Sequence, residues 1–300
     1  MITTRSSMDQ IWTDINSPTK EEIDSLILSQ NINPIIAKDL LTPTPKQYAK
    51  EYDSAIYTVL HIPSFKHSHS DSLEQEIDFI ITEKGLVTTR YDSIDALHQF
   101  AKQIEVNEIL NKTEHSHLFF SVMRKIYEFL FNETDYIKDW IKEIEKNIFE
   151  GREKDMVFSI SAASRNLLSF KRIVDPHQRV LVSLGSIGKD IFGKNFEKES
   201  QLLLEEWERL LLEIKNISDM LDELRETNNS MLSTKQNEIM KKLTIIGSVL
   251  LPLTIVSQVF GLSVISFPLK NDPNAFWIIL AIMAFVMLCS LAFARFKKWM

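Results

Sequence analysis

The sequence predicts a mixed α/β (α+β) domain that continues into a long helix and ends in two membrane-spanning helices. Short β-rich runs alternate with helical stretches in residues 11–100, and apolar residues then recur every three or four positions up to residue 242. Two long uncharged runs occupy the last 58 residues. The 300-residue chain has one cysteine, Cys289, which excludes an intrachain disulfide scaffold.

Residues 1–115 are predicted to form the mixed domain. The β-rich runs 55–62, 77–81 and 86–90 predict strands, and the stretches 19–30 and 92–104 predict helices. Thr19 and Glu22 form a capping-box pattern ahead of the first apolar helical run, so a helix is predicted to start there. The polar segment 63–71 predicts a connecting loop.

Residues 116–242 are predicted to be helical. The first helix is expected over about 117–149 and the second over about 159–174, where an Asp-Pro pair ends it. A stretch with three glycines then precedes a third run, which continues into the first uncharged segment and predicts one helix over 197–265. At 1.5 Å per residue that helix is about 100 Å long. Its apolar stripe predicts packing against helices of this chain or of other subunits and consists of Leu203, Trp207, Leu210, Ile214, Ile217, Leu221 and Leu224.

Two C-terminal segments are predicted to span a membrane. Residues 243–265 and 275–294 contain no charged side chain, and each is long enough to cross about 30 Å of hydrocarbon as a helix. The alternative, a pair of core helices in a soluble protein, fits poorly because both runs are long, adjacent and flanked by lysines. The short connection 266–274 contains two prolines and predicts an external loop.

The basic residues around these spans predict a topology. Lys241 and Lys242 precede the first span, and the tail 295–300 contains Arg295, Lys297 and Lys298. The loop between the spans has no net charge, so the positive-inside rule places both termini in the cytoplasm. The chain is therefore predicted to be a multi-pass protein of a plasma or inner membrane.

The charge distribution favours cations as the attracted species. Residues 1–242 carry 30 basic and 40 acidic side chains, an excess that argues against nucleic acid as a partner. Acids dominate the predicted long helix before the membrane. They are either a solvated helix face or, if several copies surround an axis, stacked acidic rings with Glu226 nearest the membrane. The candidate residues are Asp219, Asp222, Glu223 and Glu226.

Small and polar residues recur on one face of the first span. Gly247, Leu251, Thr254, Gln258 and Gly261 are spaced by four and three residues, so they share a helix face. Such a stripe serves either close helix packing or contact with water. Gln258 favours water, because an amide at mid-span costs free energy unless it finds a hydrogen-bond partner.

Motifs for catalysis are missing from the sequence. It has no GxGxxG pattern and no Walker loop, and its one cysteine lies in the second predicted span. An enzymatic role is disfavoured, no cofactor is predicted, and no side chains are assigned as direct metal ligands.

Several segments resemble the CorA family of magnesium channels and transporters. The similarity is carried by NEIMKKLTII at 237–246, PLT at 252–254 and FG at 260–261. Blocks along the rest of the chain follow in family order: WTDINSP at 12–18, DLL at 39–41, EY at 51–52, FKR at 170–172 with DP at 175–176, and FKKW at 296–299.

This resemblance implies a homopentamer in the lipid bilayer, with a cytosolic α/β funnel, a long stalk helix that becomes the pore-lining first span, and an outer second span. It implies passage of hydrated divalent cations, chiefly Mg²⁺ and sometimes Co²⁺ or Ni²⁺. Carried over by position, Leu243 and Leu251 are hydrophobic constrictions, while Asn237 and Thr254 are polar rings of the pore.

The outer mouth of the implied pore departs from the family pattern. The Gly-Met-Asn signature of the family is replaced by Gly261, Leu262 and Ser263, so the amide ring that holds the hydration shell of the ion is absent. Gln258, a little over one turn below Ser263, is hypothesised to supply a substitute ring of amides.

The resulting prediction is a pentameric channel or transporter for divalent cations, most of all Mg²⁺. One alternative is transport of Zn²⁺, Ni²⁺ or Co²⁺, coupled or not to protons. The other, from a different class, is a non-conducting membrane scaffold or sensor that keeps the fold. Polar groups retained at Thr254, Gln258 and Ser263 favour transport over the scaffold.

Overall fold

The computed structural model describes residues 2–7, 10–30, 33–63, 74–91, 94–109, 117–261 and 273–296. The chain divides into two compact units, one ending at Arg225 and the other beginning at Glu226.

A mixed six-stranded sheet forms the N-terminal part of the first unit. Its strand order is β1-β2-β6-β5-β4-β3, and neighbouring strands are antiparallel except for the parallel pair β2 and β6. The three predicted strands are confirmed as β4, β5 and β6, whereas β1, β2 and β3 were not predicted. The strands are β1 (Ile2–Ser7), β2 (Gln10–Asn16), β3 (Tyr48–Tyr52), β4 (Ala55–Pro63), β5 (Glu74–Thr82) and β6 (Gly85–Arg90).

Three helices accompany the sheet: α1 (Lys20–Gln30), α2 (Pro34–Asp39) and α3 (Asp95–Ile109). The predicted capping box at α1 is confirmed, because the Thr19 N–H donates to Glu22 Oε2 at 3.1 Å and the Glu22 N–H donates to Thr19 Oγ1 at 3.3 Å. Of the predicted loop 63–71, Pro63 ends β4 and the remaining residues lie outside the described part of the chain.

The sheet is covered on both faces. Ile80 of β5 belongs to a buried cluster with residues of α1 and α2, including Ile23 and Ile36. The neighbouring Phe79 points to the opposite face, as the pleat requires, where its ring meets the ring of Phe119 with centroids 5.3 Å apart. The apolar core therefore lies on both sides of the central strands.

A cluster of polar side chains, most of them buried, joins the parallel strands β2 and β6. The Trp12 indole N–H donates to Thr88 Oγ1 at 3.0 Å, and the Thr88 hydroxyl donates to Asp14 Oδ1 at 2.7 Å. Arg90 Nη2 completes the group with an ion pair to Asp14 Oδ2 at 3.1 Å. These contacts connect segments of the chain that are more than 70 residues apart.

Four further helices follow the sheet: α4 (Leu118–Phe149), α5 (Glu153–Val174), α6 (His177–Phe192) and α7 (Lys194–Gly261). The predicted helices α4 and α5 are confirmed, with α5 starting six residues earlier than predicted. Helix α7 is confirmed as far as Gly261, and residues 262–265 of the predicted helix lie outside the described ranges. Helix α7 has 68 residues and contains Pro252 within it. Helix α6 was not predicted, because its glycines are also typical of loops.

The glycines of α6 allow close packing on α7. A Cβ at Gly188 would overlap the ring of Phe196, and a Cβ at Gly185 would lie 3.2 Å from the Ser200 Cβ. Gly193, which separates the two helices, has a φ of 89° that favours glycine. The glycines therefore serve a helix contact and the turn after it.

The apolar stripe of α7 packs within its own chain. All seven stripe residues from Leu203 to Leu224 are buried. The Trp207 indole N–H donates to the Val174 carbonyl of α5 at 3.0 Å. Arg124 of α4 pairs with Glu199 of α7 at 2.9 Å. The sequence left open whether the partners of this stretch of α7 belong to the same chain or to other subunits. Helices α4 and α5 of the same chain supply such contacts.

The second unit contains the last part of α7 and α8 (Ala275–Phe296). Within the described residues, α7 and α8 are the helices long and apolar enough to cross a membrane, and neither apolar segment is buried in the chain. Helix α8 begins at the predicted residue, where the Trp277 and Ile278 N–H groups donate to the Asn274 carbonyl at 2.9 and 3.0 Å.

Candidate functional site

The predicted pore residues lie along the last part of α7. Six of them, here called the α7 polar face, fall within an arc of about 80° at 100° per residue. None of them is buried, and the leucines Leu243 and Leu251 are 60% and 66% exposed. Asn237 is also exposed, but it is rotated by about 80° from the centre of this arc. The α7 polar face consists of Leu243, Gly247, Leu251, Thr254, Gln258 and Gly261.

Two threonine hydroxyls of this segment bond to their own helix. The Thr244 and Thr254 hydroxyls donate to the carbonyls four residues earlier, Met240 and Leu250, each at 2.8 Å. Gln258 differs, because its exposed amide has no hydrogen-bond partner among the described residues. A long amide side chain in an apolar helix therefore carries unused donors and acceptors.

The two glycines of the α7 polar face have open space around them. A Cβ built at Gly247 or at Gly261 would meet no heavy atom within 4 Å. Packing within this chain therefore does not require glycine at these positions. Since small residues let a second backbone or a hydrated ion approach closely, this face suits contact with something outside the chain.

Pro252 adds a polar group that sequence analysis missed. Because proline has no N–H, the carbonyl of Ser248, four residues earlier, lacks its usual helical donor. The Ser248 hydroxyl does not replace that donor, since it donates to the Ile245 carbonyl at 2.8 Å. The sequence signal for a carbonyl that lacks its usual helical donor is a proline inside an uncharged helical run.

The acidic residues predicted to attract cations lie on the part of α7 before the apolar segment. Glu223 and Glu226 are exposed. Asp222 pairs with Arg225 at 2.7 Å, which offsets part of its charge. Asp219 borders a groove between α5 and α7 that Lys215 also lines. The acids are therefore solvent-accessible, with one of them held in an ion pair.

Other predicted site residues fall outside what the structure describes. Leu262 and Ser263, two of the three residues at the predicted outer mouth, lie outside the described ranges, and Gly261 is the last described residue of α7. Among the described residues, no group of three or more His, Cys, Asp or Glu side chains is arranged to hold a metal ion.

The combination of a mixed sheet domain, a very long helix and two apolar C-terminal helices matches known proteins. A sequence profile described as CorA-like Mg²⁺ transporter protein matches residues 8–298. This chain belongs to that family. The match covers both compact units, including both apolar helices.

Curated CorA-like relatives align with most of the chain. The cobalt/magnesium transport protein CorA of Thermotoga maritima is 21% identical over 270 residues, which cover 90% of this chain and 77% of that protein. The cobalt/magnesium transport protein CorA of Methanocaldococcus jannaschii is 24% identical, and the match covers 96% of this chain and 91% of that protein.

The CorA-like fold is also found in a solved structure. The complete structure of the CorA magnesium transporter from Methanocaldococcus jannaschii superimposes with a TM-score of 0.85 at 19% identity. The superposition covers all of this chain and 98% of that one. The predicted fold class, a mixed α/β domain with a long helix and two C-terminal apolar helices, is therefore confirmed.

Proposed function

We propose that this chain is the subunit of a membrane transporter for divalent cations, with Mg²⁺ as the main substrate and Co²⁺ or Ni²⁺ as further ones. The family match across both compact units supports transport rather than catalysis. Two relatives that align with 90% and 96% of this chain are named as cobalt/magnesium transport proteins, which supports the choice of ions.

The observation that carries this proposal is the amide of Gln258 on the α7 polar face, which has no hydrogen-bond partner within the described part of the chain. An amide in hydrocarbon without a partner is costly, so the face must meet either water or other copies of the chain. Five copies of α7 around an axis satisfy both needs, because each polar face then lines a shared hydrated path. The assembly we propose is this homopentamer.

Each residue of the path has a role that follows from its chemistry. Leu243 and Leu251 form apolar constrictions that stop ion flow when they are dry. Asn237, Thr254 and Gln258 offer polar groups that bond to the water shell of the ion. Because Mg²⁺ gives up its water reluctantly, groups that bind the shell suit it. Gly261, Leu262 and Ser263 form the outer mouth, where Gln258 compensates for the missing asparagine.

The acidic residues at the other end of the path concentrate cations. We place Asp219, Asp222, Glu223 and Glu226 at the cytoplasmic mouth, where five copies of each raise the local cation concentration. We place the first membrane span at residues 243–265, which include the end of α7, and the second at residues 275–294, within α8. The basic residues on both flanks keep the two termini in the cytoplasm of a plasma or inner membrane.

Cation flux into liposomes that contain the purified protein tests the proposal. Uptake of Mg²⁺, Co²⁺, Ni²⁺ and Zn²⁺ is measured with and without a pH gradient. Uptake of Mg²⁺ is the expected result. If Zn²⁺ is the one ion taken up, the substrate is Zn²⁺ and not Mg²⁺. If none of these ions is taken up, the protein is a membrane scaffold or sensor.

The role of Gln258 is tested by a pair of variants in the same assay. Gln258→Ala removes the amide and is expected to lower Mg²⁺ flux or its selectivity over Zn²⁺. Val256→Ala, which changes the opposite side of α7, is the matched control and keeps the parental flux. If Gln258→Ala transports Mg²⁺ at the parental rate and with the parental selectivity, Gln258 has no role in ion passage.

A further inference from the structure

A histidine is enclosed by acceptor groups at the end of β4. His61 is 6% exposed and pairs in register with Glu76 of β5, one strand over. Its Nδ1 lies 2.5 Å from Glu74 Oε1, and its Nε2 lies 2.9 Å from the Thr44 carbonyl and 3.4 Å from Glu76 Oε2. Three chain segments therefore meet at one imidazole.

The imidazolium form of the ring fits these contacts. The Thr44 carbonyl is only an acceptor, so Nε2 must donate to it. Nδ1 faces a carboxylate, which accepts in turn, so a proton on each nitrogen makes both hydrogen bonds. A neutral ring would turn one nitrogen lone pair toward an acceptor oxygen and lose that hydrogen bond.

Several titratable groups surround this ring. Burial by itself lowers the pKa of His61, but the hydrogen bonds and charges of Glu76 and Glu74 outweigh burial and raise that pKa above its ordinary value. Asp78 follows on the same face of β5, and burial raises its pKa, so this carboxyl is favoured as the neutral acid. From α6, His177 Nε2 donates to the His61 carbonyl at 2.8 Å.

The segment 41–47 connects this histidine to the helices. The Thr44 N–H donates to both oxygens of Glu76 at 2.9 and 2.8 Å, and the Thr44 hydroxyl donates to Glu76 Oε1 at 2.9 Å. Three residues later, Gln47 Nε2 donates to the Ile173 carbonyl at the end of α5. The next carbonyl, that of Val174, accepts from Trp207 of α7.

We propose that His61 is a proton-controlled latch that fixes segment 41–47 between the sheet and the end of α5. While the ring is protonated, it bonds to Glu74 and to the Thr44 carbonyl together. When pH rises and the ring loses one proton, the remaining proton stays on Nδ1, which faces the Glu74 carboxylate. The hydrogen bond to the Thr44 carbonyl is then lost, and segment 41–47 loosens. The next carbonyl of α5 accepts a hydrogen bond from Trp207 of α7, so the segment held by the latch is bonded to α5 beside a contact with α7.

The direction of the pH effect follows from linkage. A histidine whose folded pKa is raised stabilises the fold fully below its unfolded pKa, and this contribution is lost as pH rises through the folded pKa. The latch is therefore closed below about pH 6.5, and it opens as pH rises through the raised pKa of His61.

Hydrogen exchange of the full-length protein in detergent, read by mass spectrometry over pH 6 to 9, tests the latch. The exchange rates are first corrected for their intrinsic pH dependence. Protection of the peptide that contains Thr44 is then expected to fall about tenfold as His61 loses its proton. This is the effect of losing one charge-assisted hydrogen bond. His61→Gln, which cannot titrate, is expected to abolish the fall. His98→Gln, a change at an exposed histidine of α3, keeps it.

Two results would overturn the latch. One is protection that stays constant with pH in the parental protein, and the other is an unchanged fall in His61→Gln. If His61→Gln does not fold, Glu74→Gln decides the question, because losing this half-exposed carboxylate must shift the midpoint to lower pH. The exchange readout is independent of transport. A protein that moves no cation but shows the pH-dependent fall would refute the proposed function and leave the latch intact.

Discussion

Single residues of this chain carry structural roles that their type does not reveal. Gly185 and Gly188 look like loop residues in the sequence, but they lie inside α6 where α7 approaches. Glycine costs helix stability relative to alanine, so its presence within a helix needs a compensating contact. The ring of Phe196, which fills the space beside Gly188, is that contact.

Gly188→Ala tests this contact. The added Cβ would overlap the Phe196 ring, and overpacking of this kind is expected to lower the free energy of unfolding by about 1–3 kcal/mol. Gly185→Ala is the control, because its Cβ would lie at 3.2 Å from a small serine and the gain in helix propensity offsets the crowding. Thermal unfolding followed by circular dichroism measures both, and equal stabilities would contradict the packing role.

His177 predicts a loss of stability in acid. Burial lowers its pKa to about 4, and its ring is neutral, with Nε2 donating to His61 and Nδ1 accepting from the Tyr127 hydroxyl. A histidine with a lowered folded pKa contributes stability above its unfolded pKa of about 6.5, which is lost as pH falls toward 4.

The measurement compares the parental protein with His177→Gln at pH 7 and pH 5. Between these values the parental protein is expected to lose about 2 kcal/mol more than the variant. His98→Gln, at an exposed position, is expected to follow the parental protein. The same pH dependence in His177→Gln would show that another group causes the acid sensitivity.

At the scale of elements, the sequence predicted what is long and periodic. Helices α4, α5 and the first part of α7 follow from apolar spacing, the apolar part of α7 and α8 follow from long uncharged runs, and β4 to β6 follow from β-rich runs. Strands β1 and β3 at the sheet edges were not predicted, because β3 has no buried residue and β1 is largely polar. Their pairing depends on neighbours that no local pattern identifies.

The candidate site was predictable only in part. Spacing placed Thr254, Gln258 and Gly261 on one face, and the helix confirms that arrangement. Within the described residues, Gln258 has no hydrogen-bond partner while Thr254 bonds to its own backbone. The pattern did not show this difference, because such contacts depend on side-chain geometry.

Cysteine labelling tests which side of α7 faces the ion path. In a Cys289→Ser background, Gln258→Cys is expected to react with a charged, membrane-impermeant thiol reagent, and the reaction is expected to block Mg²⁺ flux into liposomes. Val256→Cys points to the opposite side of the helix and is the control, with flux unaffected by the reagent. Equal block of both variants would contradict the orientation that we propose for α7.

At the scale of the whole molecule, the division at Arg225 predicts a soluble fragment. The sheet, its covering helices and the buried stripe of α7 up to Leu224 all lie before this point. Residues 1–225 expressed alone are therefore expected to be soluble and to unfold cooperatively on heating. A fragment that ends at residue 205 lacks most of the buried stripe and is expected to aggregate, and equal behaviour of the two would contradict the division.

The same division has a consequence for biosynthesis. A ribosome that adds roughly 5–20 residues per second needs about 4–15 s to make the remaining 75 residues after Arg225. Small domains commonly fold within milliseconds to seconds, so the sheet can close before the second apolar helix is complete. Folding of the N-terminal unit therefore does not need to wait for insertion of the second apolar helix.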